Sequence, residues 1–72
     1  MTAMVEVFKT NVLNYALAAP LASALNDRFP LFKINFDLED CDKILRVEGN
    51  EVCTTSIIEL MRTKGFECEL LN

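Results

Sequence analysis

The chain has 72 residues, 51% hydrophobic and 25% charged, with a formal net charge of −4 at pH 7 and no histidine. That is the make-up of one small globular domain over residues 1–72, and a chain this short buries only ~60% of the surface it exposes when unfolded, so a deep substrate cleft is hard to build. An acidic surface repels phosphate backbones, which argues against nucleic-acid binding, and the missing histidine removes the commonest general base and metal ligand and excludes histidine-based triads.

The cations are scattered at Lys9, Arg28, Lys33, Lys43, Arg46, Arg62 and Lys64, with no basic run. The three cysteines, Cys41, Cys53 and Cys68, stand 12 and 15 residues apart without a C-x-x-C pair. An odd number of thiols at such spacing argues against a disulfide framework and for reduced thiols in the cytoplasm. Residues 12–24 end in Ala-Ser-Ala, as a cleaved secretory signal does. Asn14 and Tyr15 interrupt their apolar run, however, and a helix rich in alanine is the simpler reading. No stretch reaches the ~20 apolar residues that span a bilayer, so no membrane partner is expected.

Met4–Thr10 is β-rich and predicts a first strand. From Leu13 the apolar residues change period, through Leu17, Leu21, Ala24 and Leu25, which predicts a helix over about 14–28 with Leu17 on its buried stripe. Asn14 suits its N-cap. Pro20 implies either a kink or a later start with proline in the first turn. Phe29-Pro30 ends the helix. Phe32–Leu38 and Lys43–Glu48 then alternate around the polar turn Glu39–Asp42, which predicts an antiparallel hairpin. Val52–Lys64 reads as a second helix with Cys53, Ile57, Leu60 and Met61 facing inward, and Gly65 supplies its terminator. Phe66–Leu71 is a last strand with Cys68 inward. The order is βαββαβ, an α+β two-layer sandwich of the ferredoxin-like kind: a four-stranded antiparallel sheet with two helices on one face.

The runs FKINFDL and IIELMRTKGFECEL, together with this element order, resemble the heavy-metal-associated domain of copper chaperones and copper pumps. The resemblance covers nearly the whole chain. It implies a soft-metal site, M-x-C-x-x-C, in the loop after the first strand. Its methionine would fall at Val12 and its cysteines at Asn14 and Leu17, and none is retained. The resemblance therefore implies the fold with a degenerate metal site.

The topology predicts that this loop, the turn at Asp40–Asp42 and the turn at Lys64–Phe66 lie at one end of the sheet. Cys41 is then the one candidate metal contact, while Cys53 and Cys68 read as packing residues. The acidic cluster Asp37, Glu39, Asp40 and Asp42 lacks the spacing and glycine of a calcium loop and reads as a solvated hairpin tip. Cysteine without histidine, and carboxylates without a pocket to separate their pKa values, suggest no enzyme and no cofactor. If Val5 and Val7 face the helices, then Phe8, Ile44 and Leu71 meet on the uncovered sheet face as an interface for a protein partner or a homodimer. The expected function is a small non-catalytic binding or regulatory module. The alternative is a divergent copper or zinc carrier that uses Cys41, across a dimer.

Overall fold

The computed structural model describes residues 3–71. Its elements are β1 (Met4–Thr10), α1 (Tyr15–Arg28), β2 (Lys33–Asp37), β3 (Ile44–Gly49), α2 (Thr54–Thr63) and β4 (Cys68–Leu71). The four strands form one antiparallel sheet in the order β2-β3-β1-β4. This is the ferredoxin-like α+β arrangement, with β1 and β3 central and β2 and β4 at the edges.

Local chemistry sets the element ends. Asn14 is extended and its side-chain Oδ1 accepts the Leu17 N–H at 3.0 Å, so α1 starts at Tyr15. Pro20 lies inside this helix rather than at its start. Proline gives Ala16 no N–H to accept, and both residues are exposed, which leaves that carbonyl on the solvent side of the helix. At the end of α2 the chain closes a Schellman-type turn. The Gly65 N–H donates to Arg62 O at 2.9 Å and the Phe66 N–H to Met61 O at 3.0 Å. Gly65 takes φ +91°, which glycine adopts at no steric cost. Lys43 also sits at positive φ, so it belongs to the hairpin turn and β3 begins one residue later than the alternation predicts.

The core lies between sheet and helices. Phe8, Leu45, Val47 and Phe36 come from the sheet, Ala18, Leu21 and Leu25 from α1, and Ile57 and Met61 from α2. At the far end of the hairpin Phe32 covers Gly49 so closely that an added Cβ would meet its ring at 2.4 Å. Phe32 in turn stacks on Phe29 with centroids 5.4 Å apart, which ties the end of α1 to β3.

β1 turns the opposite way from the expectation. Phe8 is 0% exposed and packs in the core, whereas Val5 is 53% exposed. Phe8 pairs across the sheet with Leu45 on one side and Leu70 on the other, both of which face the helices. Because side chains alternate along a strand, Phe8, Thr10 and then Val12 are drawn inward together, and Val5, Val7 and Lys9 fall on the open face. A phenylalanine removes more apolar area from water than a valine, so this facing is the better of the two. Phe8→Ala is therefore expected to cost ~3–5 kcal/mol. Val5→Ala should stay within ~0.5 kcal/mol. Urea denaturation of the two variants checks both, and equal losses would contradict the facing.

Candidate functional site

Three loops do converge at one end of the sheet. The Thr10 N–H donates to Asp42 O at 3.0 Å, and the Glu67 N–H donates to the Asn11 side-chain Oδ1 at 2.9 Å. Thr10 is the joint. Its buried hydroxyl donates to Lys43 O and accepts the Val12 N–H at 3.2 Å, and among the described residues no buried side-chain nitrogen or oxygen lacks a partner. Tyr15 adds a second tie, its hydroxyl accepting the Leu38 N–H at 3.2 Å.

The positions that the resemblance maps onto a metal motif have other work here. Val12 is fully buried in the core and Asn14 caps α1. Leu17 is not on the buried stripe as its spacing suggested. It is 40% exposed, and Leu13 also faces solvent, because Ala18, Leu21 and Leu25 carry the inward face of α1. Leu17, Pro20, Leu21 and Phe66 line a shallow apolar groove of about 210 Å³, with Lys64 at its rim.

Cys41 is exposed beside this end, between Asp40 and Asp42. One ligand atom from each of the three lies within 4.8 Å of the others. The turn is ordered by its own backbone: Asp40 Oδ1 accepts the Asp42 N–H at 2.9 Å, and Asp40 O accepts the Lys43 N–H at 3.0 Å. Lys43 Nζ closes the turn by donating to Leu38 O at 3.1 Å. Such a set offers one soft and two hard donors, open to water.

The other two thiols differ sharply. Cys68 is buried in the core, as expected, and burial pushes its thiol pKa up to about 11. Cys53 is a correction. It is exposed at the N-cap of α2, not packed, because Val52 takes the buried place beside it. The Ser56 hydroxyl donates to Cys53 Sγ at 3.2 Å. That bond, followed by the nearby backbone N–H groups of Ser56 and Thr55, holds the thiol below its ordinary pKa. The sequence reading missed this thiol; the spacing Cys-x-x-Ser at a helix start is the signal that could have found it. Of these two thiols Cys53 therefore ionises at the lower pH.

On the open sheet face, the expected trio of Phe8, Ile44 and Leu71 is not assembled. Phe8 faces the helices. Ile44 alternates outward with Arg46 and Glu48 but is itself buried. Leu71 is half-buried and pairs directly with Val7. The apolar residues presented there are Val5, Val7 and Leu71, with Arg46 opposite Val7 and Glu48 opposite Val5. A separate cleft of about 530 Å³ at the end of β1 and β4 is lined by Lys9, Arg62, Glu67 and Glu69, in which two charges of each sign offset one another.

No family model, curated protein or solved structure matches the chain. Among the described residues, no helix is long and apolar enough to cross a membrane.

The two thiol environments separate in two measurements. Iodoacetamide at neutral pH should label Cys53 well before Cys68, and Ser56→Ala should slow the labelling of Cys53; peptide mass spectrometry reads both. For Cys68 the native state keeps its proton to higher pH than the unfolded chain does. Stability is therefore lost as pH rises from about 9 to about 11, by up to ~2 kcal/mol. Cys68→Ala should flatten that part of the stability profile, and an unchanged profile would show that another group causes it.

Proposed function

We propose that this chain is a non-catalytic binding module of the cytoplasm that works through protein contacts on its open sheet face. One observation carries the reading. The two helices cover a single face of the sheet, and the other face presents Val5, Val7 and Leu71 side by side on β1 and β4. An apolar group at the middle of a sheet gains by being covered, and the charges around it set which partner fits. The heavy-metal-associated likeness belongs to this proposal as well, as the origin of a domain whose metal loop has been taken over by Val12, Asn14 and Leu17.

A photo-crosslinking residue at position 5 tests the reading in cells. It should capture a protein, and Val7→Glu should abolish the capture while leaving the circular dichroism spectrum unchanged. Asn26, on the exposed side of α1, serves as the control position. Equal capture from positions 5 and 26 would sink the proposal. Capture from position 17 alone would move the contact to the groove of Leu17 and Phe66.

A second reading, a divergent copper or zinc carrier, is favoured by one feature, the closeness of Cys41 to the carboxylates of Asp40 and Asp42. Titration with Zn(II) or Cu(I), followed by backbone amide shifts, decides it. Saturable shifts confined to residues 40–43 and lost in Cys41→Ser support a carrier. Shifts scattered over the acidic surface end the idea.

A further inference from the structure

The outer edge of β2 is open. β2 is the last strand on its side of the sheet, and among the described residues no other backbone segment bonds to Lys33–Asp37 beyond β3. An unpaired edge is a template for another strand, and proteins that keep such an edge free usually guard it with a short strand, charged side chains, a proline or a bulge. The strand Lys-Ile-Asn-Phe-Asp is short, but it has no proline and its pairing with β3 runs without a bulge. It carries one charge of each sign, at its two ends.

We infer that this edge joins a second copy of the same chain, β2 against β2, in an antiparallel pair centred on Asn35. A two-fold axis normal to the sheet makes residue i face residue j and j face i. Centred on Asn35, the strand is complementary to itself. Lys33 meets Asp37 of the second copy twice, on the open face, and Ile34 meets Phe36 of the second copy twice, on the helix face. Moving the centre to Ile34 sets Lys33 against an asparagine, and moving it to Phe36 sets Asp37 against one. Only one register matches all five residues. Among the described residues neither Lys33 nor Asp37 forms an ion pair within its own chain, although Glu48 stands across β3 from Lys33.

The surroundings leave room. Between α1 and β2 runs a shallow groove of about 280 Å³, lined by Tyr15, Ala18, Ala19, Ala22, Ile34 and Phe36. The alanines keep α1 low beside the edge, so the helix of the second copy can come close without a clash. The opposite edge does not offer the same match. β4 centred on Glu69 would set two carboxylates against each other, and centred on Leu70 it would set Glu69 against Leu71. A β2-to-β4 junction would not close and would run on as a filament. The β2 pair instead ends in one eight-stranded sheet, with all four helices on one side and both Val5–Val7–Leu71 patches on the other. It uses a different surface from the open-face contact and does not depend on it.

Sedimentation velocity over a wide concentration range tests the pairing. The wild-type chain should sediment as a dimer, with concentration-dependent protection of the β2 amides in hydrogen exchange. Lys33→Asp and Asp37→Lys each place like charges opposite one another at both contacts. Each should weaken the dimer ~10- to 30-fold without loss of fold. Mixing the two variants restores Asp-to-Lys contacts at both positions and should regain a heterodimer of wild-type strength. The double variant, with both charges exchanged, should again pair with itself. A wild-type chain that stays monomeric at millimolar concentration overturns the inference, even if some other protein's strand adds to β2. So does a dimer that keeps its strength in both single variants but is broken by Val7→Glu, which would belong to the open face instead.

Discussion

Phe8 stands at the centre of the structure because β1 is hydrogen-bonded on both sides. Its ring lies in one row with Leu45 on β3 and Leu70 on β4, and that row is the floor on which both helices rest. Once Phe8 points to the helices, the pleat leaves no freedom elsewhere on the strand. Thr10 must enter the junction and Val12 must enter the core, while Val5, Val7 and Lys9 are sent to the open face. In a domain this small, one aromatic side chain thus sets the content of both faces of the sheet.

The same constraint explains why the loop after β1 is built for structure. Val12 is carried inward by the run that begins at Phe8. Thr10 spends its hydroxyl on the hairpin turn and on the Val12 amide, and Asn14 spends its side chain on the first turn of α1. The side-chain oxygens of Thr10, Asn11 and Asn14 are each bonded to a backbone partner. A buried hydrogen bond is costly to leave unmade, so these residues are not free to hold a ligand as well. Chemistry is displaced to the margins: an exposed Cys41 in an acidic turn, an exposed Cys53 that accepts a hydrogen bond from Ser56 at a helix start, and an uncovered sheet face.

Contact surfaces are what this layout leaves over. The helices shield one side of a four-stranded sheet, and its short edges and open face stay in water. Val5, Val7 and Leu71 lie among Arg46, Glu48 and Glu69, so the face is apolar at its middle and mixed in charge around it. A partner that covers it must match charge as well as shape, which gives selectivity more than strength.

Much of the fold was legible in the residues themselves. The changes of period at Leu13 and Phe32, the cap at Asn14, the polar turn at Glu39–Asp42 and the stop at Gly65 are local signals, and each lies where the chain changes element. Burial of Cys68 and exposure of Cys41 followed from the same alternation and turn. What local pattern could not decide was which side of β1 is inside, since MVEVFKT places a hydrophobic residue in both of its alternating sets. Nor could it decide which of several apolar residues on α1 face inward, or that Val52 rather than Cys53 is buried at the start of α2. Those choices depend on residues far away in sequence: Leu45 and Leu70 flank Phe8, and Ala18, Leu21 and Leu25 reach the sheet before Leu17 does. Period and capping are properties of neighbouring residues, so the sequence alone determined the elements and their order. Facing is a property of the whole packed core, so only the tertiary structure decided which side chains lie on the open face of the sheet.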